Sequence, residues 1–396
     1  MAPVGAGKTV PPLGILAGIA AGGPIALTLF LPSMPILCQQ FAASAETVQL
    51  TLSLYFAGIA FGQLLYGPLS DRFGRRPVLL VGLCIYALSS LAGVFADSIE
   101  TLIVVRVFQA LGGCAGMVIV RAIVQDVYTG DRTATALSTI LMASSIAPML
   151  GPLIGGHLIE WFGWRAAFLL LAGVGGVQLW QCLIRLSETH HARVALSSPG
   201  QFAGLYVRVL AQPRFVVHAI ASALVPCTYF AFLSGAPHFT ITVMGRSPAE
   251  YGYLAMVLPA GFIAGNFVTT RITHRLGGVR MVVLGTAATA AALAAGLSLA
   301  GTLPLSPLAL FAPMGLLTFG HGLCMSNLVS LTLREAQGLT GTAAALLGAM
   351  QMGIAALASR AAAHLVGPSA TGMLLAMAAA HALAVALFLL GRRMAR

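Results

Sequence analysis

Residues 67–77 read GPLSDRFGRRP, and they lie between two apolar runs at about 47–67 and 77–96. The segment holds one acid and three arginines, in a chain of 396 residues of which only 8% are Asp, Glu, Lys or Arg. Gly67 and Gly74 allow a tight turn and a close approach of neighbouring helices. A short charged loop between long apolar runs predicts two membrane-spanning helices joined by a hairpin.

The composition of the whole chain agrees with this prediction, because 58% of the residues are hydrophobic. A soluble domain carries about 25% charged residues. In lipid only helices or a closed barrel satisfy every backbone group, and apolar runs of about 20 residues have the length of a spanning helix. We therefore expect an all-α membrane protein with twelve transmembrane helices, at approximately 13–37, 47–67, 77–96, 101–123, 134–159, 165–186, 214–238, 250–270, 279–301, 305–331, 342–365 and 370–391.

The basic residues predict the orientation of these spans. If the N-terminus is cytoplasmic, all of the 21 Lys and Arg residues except Arg106, Arg165, Arg246 and Arg360 fall at inside ends and loops. This satisfies the positive-inside rule and predicts that both termini are cytoplasmic. The net charge of +11 does not indicate nucleic-acid binding, because the basic residues mark the ends of apolar runs and form no single patch.

The chain also shows a weak internal repeat. Arg72-Phe73-Gly74 follows the second span, and Arg275-Leu276-Gly277 follows the eighth, 203 residues later. Such repeats are typical of transporters built from two parallel halves. We expect an N-terminal six-helix bundle at 1–186, a cytoplasmic linker at 187–213 and a C-terminal six-helix bundle at 214–396.

The charged loop resembles the G-x-L-x-D-R-x-G-R-[KR] motif of the major facilitator superfamily. The resemblance implies a conformational switch in which Asp71 pairs with arginines and faces the positive end of a helix. We assign to this switch Gly67, Asp71, Arg72, Gly74 and Arg75, with Arg121 and Asp126 at the inner end of span four. The alternative is a solvated basic loop that only sets topology.

Two further motifs resemble the same superfamily. Residues 106–113 of span four, RVFQALGG, are similar to R-x-x-Q-G, with Ala110 in place of the usual Gly. Residues 147–156 of span five, APMLGPLIGG, resemble the antiporter motif g-x-x-x-G-P-x-x-G-G, which in the family marks exporters that exchange substrate for protons. Its members here are Pro148, Gly151, Pro152, Gly155 and Gly156. The alternative for the span-four motif is that Arg106 snorkels to the membrane interface. The alternative for the span-five motif is ordinary glycine-rich helix packing.

Other segments narrow the resemblance to the bicyclomycin/chloramphenicol-resistance (Bcr/CflA) branch of drug:proton antiporters. They are LPSMP at 31–35, RAIV at 121–124 with Asp126 and Tyr128, FLSGAP at 232–237 and GTAAALLG at 341–348. The branch implies a small-molecule exporter of the bacterial inner membrane. One residue departs from the pattern: Thr28 stands where the branch usually has an Asp, and none of the ten acids falls in the middle of a span.

Proton coupling therefore requires another titratable group. His321 lies near the centre of span ten, and histidine can change its charge at physiological pH. We expect any proton coupling to run through His321, and we weigh this against a neutral histidine that only bonds neighbouring helices.

The predicted function is proton-coupled efflux of drugs or other small molecules by alternating access. Spans one, four, seven and ten are expected to line a central cavity that suits moderately apolar, neutral or anionic compounds. The resemblance to the Bcr/CflA branch implies amphenicol-type drugs among them. The candidate lining residues are Phe30, Tyr55, Arg106, Gln109, Met142, Tyr229, Phe232, His321 and Asn327. An uncoupled facilitator, an exporter of an amino acid or peptide, and a non-transporting sensor or inactive paralogue remain alternatives.

No enzyme, cofactor or metal site is indicated. The six cysteines lie far apart and form no CxxC, and no serine triad or HExxH occurs. The expected partners are a small-molecule substrate, protons and the lipid bilayer. We expect a monomer that binds no nucleic acid.

Overall fold

The computed structural model describes residues 12–128, 131–190, 199–302, 306–336, 339–365 and 369–394, and within these ranges it contains helices and no strand. Eleven helices of the described chain are long and apolar enough to cross a membrane. They are spans one to four (Leu13–Gln40, Ala45–Phe73, Arg75–Val94, Ile99–Val127), span six (Arg165–Arg185) and spans seven to twelve (Pro213–Val243, Pro248–Leu276, Gly278–Gly301, Pro307–Arg334, Thr340–Ala362, Thr371–Met394). The all-α membrane fold is thus confirmed.

Span five is a further helix of spanning length, because Asp131–Phe162 covers 32 residues. Its side chains are described only in part, so the count of twelve spans stays a prediction.

Two spans are interrupted close to prolines. Span one passes from Leu13–Leu29 through a tight 3₁₀ turn, Leu31–Ser33, before it continues as a short helix. Span eight breaks at Met256, between Pro248–Ala255 and Val257–Leu276. Proline lacks a backbone N–H and its ring crowds the carbonyl one turn earlier, so the regular ladder cannot continue through it.

The predicted linker contains structure that the sequence did not reveal. Pro199–Leu210 is a helix within the range 187–213, and span seven begins three residues after it, at Pro213. The polar stretch predicted only a linker, yet proline is well tolerated in the first turn of a helix. The hydroxyl of Tyr206 donates a 3.2 Å hydrogen bond to the Leu64 carbonyl, which holds this helix against span two.

The two halves meet most closely at one end of the bundle. We call it the outer end, because the charges predict that its loops at 41–44, 96–98, 163–164 and 244–247 face outside; the opposite end is the inner end. There Glu160 of span five accepts a 3.1 Å hydrogen bond from the backbone N–H of Ala249. Span five packs against Pro248–Ala255 but scarcely touches Val257–Leu276. The halves are therefore closed together at the outer end and part toward the inner end between spans five and eight.

Candidate functional site

A cavity of about 300 Å³ lies between the two halves, and both contribute to its walls. The lining is mostly apolar, and no Asp or Glu is among its described residues. Its residues are Pro24, Leu27, Thr28, Ile59, Met117, Ser144, Pro148, Pro226, Tyr229, Phe230, Leu233, Leu258, Pro259, Phe262, Thr318, His321, Met325 and Met352. A pocket of this size and character suits a small, largely apolar molecule.

His321 is the titratable imidazole of this lining. Its Nε2 atom lies 3.2 Å from Oγ1 of Thr228 in span seven. The Thr228 hydroxyl already donates to the Val225 carbonyl over 2.9 Å, which leaves its oxygen free to accept. The arrangement favours a neutral imidazole that carries its proton on Nε2 and bridges spans seven and ten.

Of the nine predicted lining residues, the structure places Tyr229 and His321 on the cavity. Four of the others, Phe30, Tyr55, Arg106 and Gln109, lie instead inside the N-terminal half, where each is almost completely buried. The expectation that these four face the cavity is corrected for this conformation.

Arg106 is the centre of that buried cluster. Its guanidinium lies between two aromatic rings, 4.4 Å from the centroid of Phe30 and 4.1 Å from that of Tyr55. Nη1 donates to the Ala26 carbonyl at 3.1 Å and to Oε1 of Gln109 at 2.6 Å. The rings cover both faces of the guanidinium, and this packing turns it away from the cavity. Nε and Nη2 have no hydrogen-bond partner among the described residues.

The remaining three predicted lining residues also lie elsewhere. Met142 is 59% exposed and shares a helical stripe with Ile146, Leu150 and Ile154, on the side of span five opposite the lining residues Ser144 and Pro148.

Phe232 packs edge-on against Phe311, with 5.5 Å between ring centroids. Asn327 donates to Oγ1 of Thr273 at 3.5 Å near the inner end of span eight. These two side chains pack within the C-terminal half. The expectation that they face the cavity is therefore corrected for this conformation as well.

The glycines of the span-five motif allow close contacts between helices. A Cβ on Gly151 would collide with the Thr28 side chain, and one on Gly155 with the Leu29 carbonyl. A Cβ on Gly156 would collide with the Pro248 carbonyl of the other half. The carbonyl of Pro152 in turn lies where a Cβ on Gly252 would be. The motif thus brings span five against spans one and eight, and Pro148 reaches the cavity.

The charged loop forms a compact network at the inner end. The buried guanidinium of Arg75 contacts Oδ1 of Asp71 at 2.5 Å and Oδ2 of Asp126 at 3.1 Å, and it donates to the Ser70 hydroxyl at 2.6 Å. Gly74 adopts a φ of 100°, a conformation that favours glycine. The network joins spans two, three and four, as the motif predicts for a switch. Gly67 lies in open space, and Arg72 stacks on the neighbouring ring of Phe73 at 5.0 Å.

Comparison with known proteins decides the family. The profile of the Major Facilitator Superfamily matches residues 16–359. The chain belongs to this superfamily.

The relatives of this superfamily member include transporters with named functions. The bicyclomycin resistance protein homolog of Haemophilus influenzae is 28% identical over 381 residues, which cover 94% of this chain and 93% of that protein. The multidrug transporter MdfA of Yersinia pestis is 31% identical over 337 residues, 83% of this chain and 80% of that protein. These relatives agree with the Bcr/CflA resemblance, and the protein is a multi-pass membrane transporter and not an enzyme.

Solved structures show the same superfamily fold. A peptide transporter POT in complex with sulfate aligns with a TM-score of 0.78 at 14% identity, over 96% of this chain and 94% of that one. A bacterial homolog of the human lysosomal transporter Spinster, in an inward-facing and unoccupied conformation, aligns with a TM-score of 0.66 at 18% identity, over 96% of each chain. At these identities the likeness shows the fold alone.

One predicted member of the superfamily switch lies outside the network. Arg121 is exposed and forms no hydrogen bond or ion pair with any described residue. Asp126 follows it by five residues, which is about 140° around the helix, so the two side chains point to different sides of span four. The assignment of Arg121 to the switch is corrected for this conformation.

Glu188 also contacts the charged network, although no sequence motif indicated it. Its carboxylate accepts hydrogen bonds from the backbone N–H groups of Arg75 at 2.9 Å and Arg76 at 3.3 Å, the first residues of span three. The residue before them, Gly74, has no side chain to cap these groups. The signal in the sequence was the glycine before the start of span three. A helix that begins after a glycine lacks a capping side chain, so an acceptor from another part of the chain has to bind its first N–H groups.

Proposed function

We propose that this transporter exports moderately apolar, neutral or anionic small molecules across the bacterial inner membrane in exchange for protons. The observation that carries the proposal is the apolar cavity between the two halves, with closure at the outer end. A cavity on the boundary of two rigid halves is exposed to each side in turn when the halves rock. The bacterial relatives support the inner-membrane location, and the charge distribution supports cytoplasmic termini.

The chemistry of the lining supports the substrate class. The few polar side chains on the cavity are Thr28, Ser144, Thr318, His321 and Tyr229, which can orient a substrate through hydrogen bonds. A cationic drug would lose its hydration without gaining a carboxylate, which is unfavourable in an apolar site. Neutral amphenicols avoid this cost, and a compound with one negative charge can offset it by pairing with a protonated His321. The named functions of the relatives, bicyclomycin resistance and multidrug transport, support efflux as the direction.

His321 is the group that we propose for proton coupling. Thr28 cannot titrate, and its hydroxyl is within 3.2 Å of the Pro24 carbonyl of its own helix. No Asp or Glu is among the described lining residues, whereas His321 lines the cavity and is bonded to Thr228 of the neighbouring span seven. Protonation would add a positive charge between spans seven and ten, and the free energy of that charge depends on whether water fills the cavity.

An uncoupled facilitator is the second candidate, and the absence of a described carboxylate on the lining favours it. An exporter of an amino acid or peptide is the third candidate. It ranks last because a zwitterionic substrate needs a partner for each of its two charges, and the described lining has no carboxylate. An uncoupled facilitator would not respond to a pH gradient. An exporter of an amino acid or peptide would not protect the host against amphenicols.

The test is the growth of an efflux-deficient bacterial host that expresses the protein, exposed to neutral, anionic and cationic antibiotics. Wild type is expected to protect against amphenicols and not against lipophilic cations. Ser144→Trp, which fills the cavity, should abolish protection, whereas Ile146→Trp on the opposite face of span five should not. Protection against cations alone, or protection by both tryptophan variants, contradicts the proposal; no protection by wild type favours the sensor or inactive-paralogue alternative.

A further inference from the structure

Arg121 is an exposed guanidinium on a cavity-forming face of span four, and it has no partner among the described residues. It follows the lining residue Met117 by four residues, so it lies on the same side of the helix and about 6 Å closer to the inner end. No hydrogen bond or ion pair links it to a described residue. A charged side chain that lies near the end of a span and has no counter-ion either contacts water and lipid headgroups or binds a charged ligand.

The neighbouring side chains show which way this face points. Cys114, seven residues before Arg121, donates to the Ile59 carbonyl of span two at 3.4 Å. Ile59 and Met117 both line the cavity. Residues seven and four positions before Arg121 on one helical stripe thus face protein and cavity, not lipid. The exposure of Arg121 is therefore exposure to the inner mouth of the cavity.

The electrostatics of the mouth favour an anion. The lining above Arg121 contains no described Asp or Glu that could neutralise a guanidinium, and the halves part toward this end. Arginine presents a planar pair of N–H donors that matches a carboxylate in two parallel hydrogen bonds. A monoanionic substrate that enters from the inner end would meet this charge before its apolar part reaches the cavity.

We propose that Arg121 is the specificity-determining residue for anionic substrates, and that it binds their carboxylate at the inner mouth. The inference rests on the proposed export function, since it names the residue that selects one of its two substrate classes. The rival role for Arg121 is anchoring of span four in the inner interface. Anchoring acts on the protein and not on the substrate, so it treats charged and uncharged compounds alike.

The test compares binding of nalidixate, a monocarboxylate, with binding of its neutral methyl ester to the purified full-length protein. Wild type is expected to bind the acid more tightly than the ester. Arg121→Gln should weaken binding of the acid by about tenfold, the loss of a charged hydrogen-bonded pair, and leave the ester unchanged. Arg121→Lys should retain part of the preference, and Arg208→Gln, an exposed arginine on the helix Pro199–Leu210, should retain all of it.

The outcomes separate this proposal from the export function. A wild type that binds the acid no better than the ester overturns it, and so does an Arg121→Gln variant with an unchanged ratio of the two affinities. An equal loss for both compounds assigns Arg121 to anchoring and overturns it as well. Binding is measured without transport. The ratio of the affinities for the acid and the ester can therefore be interpreted even if the growth assay shows no efflux.

Discussion

The side-chain amide of Gln49 donates a 2.8 Å hydrogen bond to the hydroxyl of Ser359, and this bond joins the two halves of the transporter. The Ser359 oxygen also accepts from the Ser234 hydroxyl at 3.0 Å. Nearby, Nδ1 of His364 lies 2.9 Å from a carboxylate oxygen of Glu46. Spans two, seven and eleven are thus linked at the outer end by polar contacts that must break when the cavity opens there.

Ser359→Ala is expected to shift the protein toward the outward-open conformation. The change removes the acceptor of Gln49 and costs about 1 kcal/mol, or roughly a fivefold change in the populations. Pulsed electron paramagnetic resonance between spin labels on Ser44→Cys and Arg246→Cys, with the native cysteines replaced, measures the opening.

The control is Ser53→Ala, which removes a hydroxyl that bonds only within its own helix, to the Gln49 carbonyl at 3.2 Å. If Ser359→Ala and Ser53→Ala give the same distance distribution as the parent, the Gln49–Ser359 bond does not hold the outer end closed.

Gly151→Leu and Gly155→Leu are expected to abolish transport. Even a Cβ at these positions meets Thr28 or the Leu29 backbone, so a larger side chain forces spans one and five apart. Gly173→Leu is the matched control, because nothing lies within 4 Å of its added Cβ. Efflux is measured together with size-exclusion profiles of the tagged protein. Normal transport by both variants would remove the physical basis of the motif assignment.

Asp71→Asn is expected to reduce efflux several-fold while membrane insertion stays normal. Arg75 would keep Asp126 but lose its closest carboxylate, which weakens the network that joins spans two, three and four. Asp97→Asn serves as control, since Asp97 is exposed at the outer end and lies 3.6 Å from Arg165. Wild-type efflux by well-expressed Asp71→Asn protein would argue that the loop only sets topology.

Arg106→Met is expected to leave the thermal stability unchanged or higher and to reduce transport at least tenfold. Two guanidinium nitrogens of Arg106 lack partners in the described chain, and burial of such a charge costs several kcal/mol. Methionine can fill the space between Phe30 and Tyr55 and pack its sulfur on the rings. A charge retained in a membrane span at this cost indicates function. A marked fall in Tm would instead make Arg106 a structural residue.

The helices were predictable from the sequence because membrane spans need long apolar runs. Every confirmed span begins and ends within about six residues of its predicted bounds, as for Arg75–Val94 against 77–96. The charged loop also indicated the Arg75 network, since its residues are local. The helix Pro199–Leu210 escaped prediction because its stability comes partly from packing against span two, which no local pattern reports.

The cavity lining was harder to predict, because hydropathy does not report the rotation of a helix about its axis. That rotation is set by close contacts such as Gly58 against Ala110, which fix how span two meets span four. Arg106 was assigned to the cavity from its charge and its motif in span four, whereas the rings of Phe30 and Tyr55 pack against it within one half. Met117 was missed as a lining residue because nothing in its chemistry distinguishes it from other residues of a span. Thr28 was noted only as the replacement of the usual Asp and not as a lining residue.

Proton-driven export through the central cavity is tested most directly by accumulation of labelled chloramphenicol in inside-out vesicles with an imposed, lumen-acid pH gradient. Wild type and His321→Gln are compared, each with and without the gradient. We predict that the gradient drives accumulation by wild type and not by His321→Gln, while both exchange substrate without it. Equal gradient-driven accumulation by the two would exclude His321 as the coupling group, and no response in either would contradict proton-coupled export.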